Sequence, residues 1–286
     1  MKNEIARRRK MESVYHYCSI ETFLKIIQGK ILRLSDIQKS NDYTERIYME
    51  KIIHEELIKQ SKRIFERELL DDFLHVEKTC RESMRESHIL YAMCFSEEKD
   101  LLSQWRGYAN AGTGVAIGFS KDILSRVNEE MYGLIFNKIC YDEKQQIKFA
   151  KGQVQTIMDT MRYKNLFAAL AEVYENEIEK LGCMKSPGFY EEKEWRLCKA
   201  VTPELRIDKT AKYGNFELSK IRERCVREQI VTYFDLSFQN VVDDFVTEVV
   251  IGPSAKVTEI DIYRSLFING FDIDKIKVSK SVITYR

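Results

Sequence analysis

Ile89-Leu90-Tyr91-Ala92-Met93-Cys94-Phe95-Ser96 is an apolar run of strand length, and it follows a stretch from Tyr43 to Glu86 that holds neither Gly nor Pro. The run reads as a β-strand. Before it, Phe65, Leu69, Phe73 and Val76 recur at helical spacing, which predicts one or two long helices. A second helical stretch covers Lys144 to Leu181, with Ala150, Val154, Ile157 and Met161 as its apolar stripe and Gly182 as its stop. Further strand-like runs rich in Val, Ile, Phe and Tyr are Val14–Cys18, Ile31–Leu34, Gly114–Phe119, Leu134–Tyr141, Glu194–Val201, Ile230–Leu236, Val246–Ile251 and Ile276–Tyr285. Between the first two, Ser19 reads as the N-cap of a helix over Ile20–Gln28, closed by Gly29. Strands and helices are partly segregated rather than regularly alternating, so the chain reads as α+β and not as a doubly wound sheet. The expected organisation is a flexible tail over 1–12 and a single α+β domain over 13–286, with helical stretches near 43–86 and 144–182.

Composition narrows the function. The 286 residues carry 46 Lys+Arg against 45 Asp+Glu, a net charge of +1, so a dedicated nucleic-acid binder is disfavoured unless a local basic patch exists. The run Arg7-Arg8-Arg9-Lys10 could supply one, but a solvated tail is the simpler reading. Gly and Pro number only 12 and 3, which argues against flexible linkers and for long regular elements. Seven Cys are scattered without zinc or redox spacing, as expected of reduced thiols in a cytoplasmic protein, with Cys94 and Cys140 serving as small hydrophobes. No secretory leader and no apolar run of membrane-spanning length is visible, so a membrane is not expected as a partner.

Chemistry concentrates in three places. Four of the Gly (Gly107, Gly112, Gly114 and Gly118) fall between Trp105 and Phe119, where they permit close approach of the backbone either to a ligand or to a neighbouring strand. They precede a strand instead of following one, which excludes a Rossmann fingerprint. The acidic run Tyr190-Glu191-Glu192-Lys193-Glu194-Trp195-Arg196 opens a strand; with Glu192 and Glu194 on one face, two carboxylates can divide substrate binding and charge stabilisation. A solvated strand start is the plain alternative. His16, between Tyr15 and Tyr17, could donate to a ribose hydroxyl or be a satisfied core histidine, and Asn41 and Asp42 either join a site or cap the helix that follows, with Glu45 completing a capping box.

In combination these segments resemble the bacterial family called domain of unknown function 2971. The resemblance rests on Tyr15-His16-Tyr17-Cys18-Ser19, on Ile31-Leu32-Arg33-Leu34-Ser35 with Asn41-Asp42-Tyr43-Thr44-Glu45, and on Cys94-Phe95-Ser96. Trp105–Tyr108 leading into Gly114–Phe119, Glu192-Lys193-Glu194-Trp195-Arg196 and Glu248-Val249-Val250-Ile251-Gly252-Pro253 complete it. At one remove the order of motifs is similar to the ADP-ribosyltransferase superfamily. That resemblance implies a twisted, mainly antiparallel split β-sheet core, with the two helical stretches as insertions, and NAD as substrate without a metal. It places His16, with Tyr17 and Asn41, on the NAD ribose, Ser96 beside the nicotinamide with Tyr108 stacking, and Glu194 on the nicotinamide ribose with Glu192 as its partner. The implied activity is transfer of ADP-ribose to a protein or nucleic-acid acceptor, as a toxin or anti-phage defence effector checked by a neutralising partner. This sequence departs from the superfamily pattern in lacking Arg on the first strand and in carrying Phe95-Ser96-Glu97 at the middle motif.

Two other readings stand beside it. A module of the same fold could bind a nucleotide without turning it over. Glu191-Glu192-Lys193 also has the form used by metal-dependent nucleases, with Asp42 or Asp100 as the upstream acid.

Overall fold

A computed structural model describes residues 12–39, 44–130, 133–201, 211–213 and 215–284. The basic run Arg7–Lys10 and the residues Asn41 and Asp42 lie outside them.

The strand β1 (Ser13–Cys18) leads through α1 (Ile20–Gly29) to β2 (Ile31–Asp36). The Ser19 side chain accepts the Thr22 amide at 3.1 Å, as the N-cap reading requires, but the left-handed residue that closes α1 is Lys30 (φ 49°) rather than Gly29. After α2 (Thr44–Ser61) and α3 (Arg67–Ser87) comes β3 (Ile89–Ser96), the strand on which the fold reading turned, with the predicted bounds. Then follow α4 (Leu102–Tyr108), β4 (Val115–Ser120), α5 (Lys121–Glu130), β5 (Leu134–Lys138), α6 (Glu143–Thr160), α7 (Leu166–Leu181) and β6 (Glu194–Val201). The chain ends with β7 (Ala211–Tyr213), β8 (Phe216–Leu218), β9 (Arg222–Val226), β10 (Gln229–Ser237), α8 (Val242–Phe245), β11 (Val246–Ile251), α9 (Glu259–Ile268) and β12 (Lys277–Lys280).

Among the described residues, twelve strands form one sheet with β12-β11-β4-β1-β3-β2-β10-β8-β7 as its main path, every strand pairing antiparallel except β11 with β12. The fold is α+β with a mainly antiparallel sheet. Its decisive irregularity is at β3. β6 runs along one edge of β3 from Ile89 to Ser96, so β1 and β2 share the other edge, β1 meeting it at Ser96 and β2 at Tyr91 and Ala92. The sheet therefore forks between β1 and β2.

One face of the sheet packs into the principal core, to which Leu32, Leu34, Phe95, Phe119, Phe234 and Phe245 contribute. The two helical stretches form a second core: α2 packs on α6, α3 on α7, and α6 on α7, around Leu57, Phe73, Cys80, Val154, Ile157 and Leu170. Each stretch is broken into two helices. In the second, the signal was Asn165, whose side chain caps α7 by accepting the Ala168 amide at 2.9 Å. The buried face of α3 runs through Phe73, Glu77, Cys80 and Met84, which leaves the expected stripe residues Leu69 and Val76 exposed at its side.

Two glycines of the cluster, Gly114 and Gly118, serve strand packing, whereas Gly107 lies in α4 with open space where a Cβ would stand. A Cβ at Gly114 would stand 2.0 Å from the Cys18 carbonyl oxygen, and one at Gly252 would stand 2.4 Å from that of Gly112. The turn before β4 passes through the left-handed residues Asn110, Ala111 and Gly112. Gly114→Ala must push β4 off β1, and is expected to destabilise the protein by about 1–3 kcal/mol, seen as a lower urea midpoint with unchanged slope.

Candidate functional site

The sheet's other face builds a cleft. Cross-strand partners point to the same side, so the registers that align Cys94 with Arg196, Ala92 with Ser35 and Ser35 with Tyr233 place these side chains on one surface. That surface floors a groove of about 640 Å³, lined by Ser35, Cys94, Tyr108, Glu194, Arg196 and Val231 among others. At the fork the groove meets a narrow recess of about 50 Å³, whose walls include His16, Tyr17, Gln104 and Glu192. Cys94, Tyr108 and Glu194 line both.

His16 sits at the fork. Its Nδ1 donates to the Cys94 carbonyl at 2.8 Å, joining β1 to β3 beyond the point where their ladder stops. Burial lowers its pKa, against the opposing effect of that hydrogen bond, so the ring is neutral at pH 7. With the proton on Nδ1, Nε2 is left as an acceptor. The sequence reading had this histidine donating to a ribose hydroxyl; its tautomer makes it the acceptor of such a proton.

The acidic pair forms differently from the expectation. Glu192 is the last residue of a 3-10 turn (Pro187–Glu192), and Lys193 takes a left-handed φ of 44°, so Glu192 is not on the strand with Glu194. What unites the two carboxylates is Lys185, only 1% exposed, whose Nζ donates to Glu192 Oε2 at 2.6 Å and to Glu194 Oε2 at 3.4 Å. Arg196 adds a two-pronged contact, Nε to Glu194 Oε1 at 2.5 Å and Nη2 to Oε2 at 3.1 Å, and its Nη1 donates to the Gly182 carbonyl at 2.8 Å. Glu194 is 5% exposed. Burial alone would raise its pKa, but the charges of Arg196 and then Lys185 outweigh it and hold the carboxyl below its ordinary value. Four charges thus alternate in sign along Glu192, Lys185, Glu194 and Arg196, the last three of them buried and Glu192 half-buried.

Ser96 lies beneath this cluster, opposite Glu194 in the β3–β6 register. Its Oγ donates to the Glu192 carbonyl at 2.7 Å and accepts the Glu98 amide at 3.1 Å, so it ties the carboxylate turn to β3. Tyr17 has a similar duty: its hydroxyl donates to the Glu98 carbonyl at 2.7 Å and accepts the Leu101 amide at 3.1 Å, while its ring packs edge-on against Trp105 at 4.7 Å. Tyr108, at the end of α4, is 45% exposed and offers a ring to the cleft. Asn41 lies outside the described residues. The structure thus brings His16, Tyr17, Tyr108, Glu192 and Glu194 to one cleft and sets Ser96 behind it.

The nuclease constellation does not assemble among the described residues. Asp100 accepts Trp105 Nε1 at 2.6 Å and the Ser281 hydroxyl at 2.6 Å, Lys193 pairs with Glu98, and no group of three His, Cys, Asp or Glu is placed to hold a metal. Asp42 is outside those residues.

Sequence reading missed Lys185, Arg196 as a ligand of Glu194, Gln104 and the exposed thiol of Cys94. The last was read as a small hydrophobe; Cys94 lines the cleft, and all seven cysteines are free. A signal for Lys185 did exist, because a lysine beside Cys183 and Met184 and seven to nine residues before two glutamates can reach both once Pro187 turns the chain.

No helix among the described residues is long and apolar enough to cross a membrane. Comparison with curated proteins and with solved structures found no match. Residues 104–197, which run from the cleft residue Gln104 through the whole carboxylate cluster to Leu197, match the model of the family described as Protein of unknown function (DUF2971), the family to which the motifs had pointed.

Proposed function

We propose that the cleft binds NAD and that the protein breaks the bond between nicotinamide and ribose, in the manner of an ADP-ribosyltransferase. The observation that carries this reading is that five residues drawn from three distant parts of the chain, His16, Tyr17, Tyr108, Glu192 and Glu194, line one cleft at a fork in the sheet. Loss of nicotinamide leaves an oxocarbenium-like ribose, and a fixed, ionised carboxylate such as Glu194 stabilises it. Nε2 of the neutral His16 accepts from a ribose hydroxyl, Tyr108 stacks on the nicotinamide, and the wider groove beyond Arg196 takes the diphosphate and adenosine. The acceptor is a macromolecule, and an enzyme that spends NAD in this way fits a toxin or defence effector held in check by a neutralising partner.

A second reading has its own support. Arg196 and Lys185 already neutralise Glu194 and Glu192, an arrangement that suits a module holding a nucleotide without turning it over. Calorimetric titration with NAD and with ADP-ribose, beside an assay for free nicotinamide, separates the two. The enzyme reading expects NAD binding with nicotinamide release that persists in a chelator; binding without release supports the module, and no binding of either compound removes both.

A further inference from the structure

At the far side of the cleft floor, β9 and β10 form a hairpin closed by the left-handed pair Arg227 and Glu228. The registers pair Arg222 and Ser35 with Tyr233, Arg224 with Val231, and Arg33 with Asp235, so Arg33, Arg222 and Arg224 share the cleft face. They crowd around one carboxylate and one ring. Arg33 donates to Asp235 through Nε at 2.8 Å and Nη2 at 3.2 Å, and its guanidinium lies 3.9 Å from the Tyr233 ring centre. Arg222 reaches Asp235 at 3.4 Å, and Arg224 lies 5.7 Å from the Tyr233 ring and donates to the Ser35 hydroxyl at 3.2 Å. Three cations thus face one anion, and the proximity of Arg33, after burial, lowers the pKa of Arg224. The other carboxylates of these strands and their turn are Asp36, which accepts the Gln38 amide, Glu223, which alternates to the opposite face, and Glu228.

We propose that this arginine strip is a binding surface for the phosphodiester backbone of a nucleic acid. The surplus of positive charge around Asp235 and Tyr233, with Glu217 of β8 the next carboxylate on that face at the level of Ser237, is complementary to a polyanion, and guanidinium forks match phosphate oxygens. Arg222 and Arg224 on β9 are four strand spacings from Glu194, on the order of 19 Å and beyond a dinucleotide's diphosphate, while Arg33 on β2 is two spacings away and anchors the strip's inner end. It carries no exposed aromatic anchor of the kind that dominates protein interfaces, since Tyr233 is buried beneath Arg33. Phosphate contacts need charge alone and give affinity without sequence preference. A near-zero net charge is compatible with such a surface because the excess is local.

The test is fluorescence anisotropy with a labelled single-stranded oligonucleotide, as DNA and as RNA, with labelled polyglutamate as comparator and no NAD present. The full chain should bind oligonucleotide more tightly than polyglutamate. The double variant Arg222→Glu/Arg224→Glu should raise Kd by about tenfold or more and flatten the slope of log Kd against log salt by about 1.4, the loss of two single-strand contacts. Arg224→Glu alone, which leaves Asp235 with both its partners, should show about half of that change in slope. Lys148→Glu on the exposed side of α6 should bind as the wild type, and thermal melts confirm that each variant is folded. Absence of oligonucleotide binding, equal binding by the double variant, or a preference for polyglutamate would overturn the proposal. Because the measurement involves no NAD, its failure leaves the reading of the cleft standing, and the reverse holds.

Discussion

Glu194→Gln is expected to slow nicotinamide release from NAD by about 10²–10³-fold, the equivalent of about 2.7–4 kcal/mol of transition-state stabilisation. The substitution keeps the side chain's shape and removes its charge. Arg196 and Lys185 converge on this carboxylate and keep it ionised, so the charge is present at neutral pH where the reaction needs it. Affinity for NAD should change little, because the carboxylate is asked to stabilise charge that exists only during bond cleavage. The split between turnover and binding is therefore the informative readout. An unchanged rate of nicotinamide release would reduce Glu194 to a structural member of a buried ion cluster.

The second large effect is structural in origin. Lys185→Met removes the buried cation shared by Glu192 and Glu194 while keeping the volume of the side chain, and should cost about 3–5 kcal/mol in chemical denaturation. The carboxylates would then lose the cation they share, with Arg196 still on Glu194, and one of them would take up a proton. The sign follows from linkage. A carboxyl held below its unfolded pKa stabilises the fold above that unfolded value and loses this contribution as pH falls through the folded pKa. Glu194 is such a group in the wild type. The variant should therefore lose the part of its acid-side stability profile that Lys185 provides, and a profile of unchanged shape would show that Lys185 contributes packing only.

Much of the fold was legible because the strands of the forked sheet are strongly patterned. β3, β6 and β11 have the bounds expected from their apolar runs, β1 starts one residue earlier, and β10 extends one residue further at each end. The short or exposed strands were not legible. β9 is exposed at every residue, so no burial pattern marks it, and it is held as a strand by its ladder to β10. β5 stops at Lys138 although the apolar run continues to Tyr141, because the chain leaves β6 there and Cys140 bridges to Met184 instead. In the site, His16 between two tyrosines and the acidic run holding Glu194 stood out in the sequence itself, whereas Tyr108 entered only through the family resemblance. The cluster that governs Glu194 was not, since Lys185 reaches it only through the turn at Pro187 and Glu192 leaves the strand at a left-handed Lys193. Ser96 shows the limit of motif order as a guide: it has the expected place in the chain, but both of its hydrogen bonds are spent on backbone groups.

The most direct measurement is a crystal structure of the full chain with a non-hydrolysable NAD analogue. The account predicts the nicotinamide ribose within hydrogen-bond reach of Glu194, a ribose hydroxyl donating to Nε2 of His16, the nicotinamide ring against Tyr108, and the diphosphate in the groove beyond Arg196. A dinucleotide bound elsewhere, or one lying in the groove with its nicotinamide ribose away from Glu194, would contradict it.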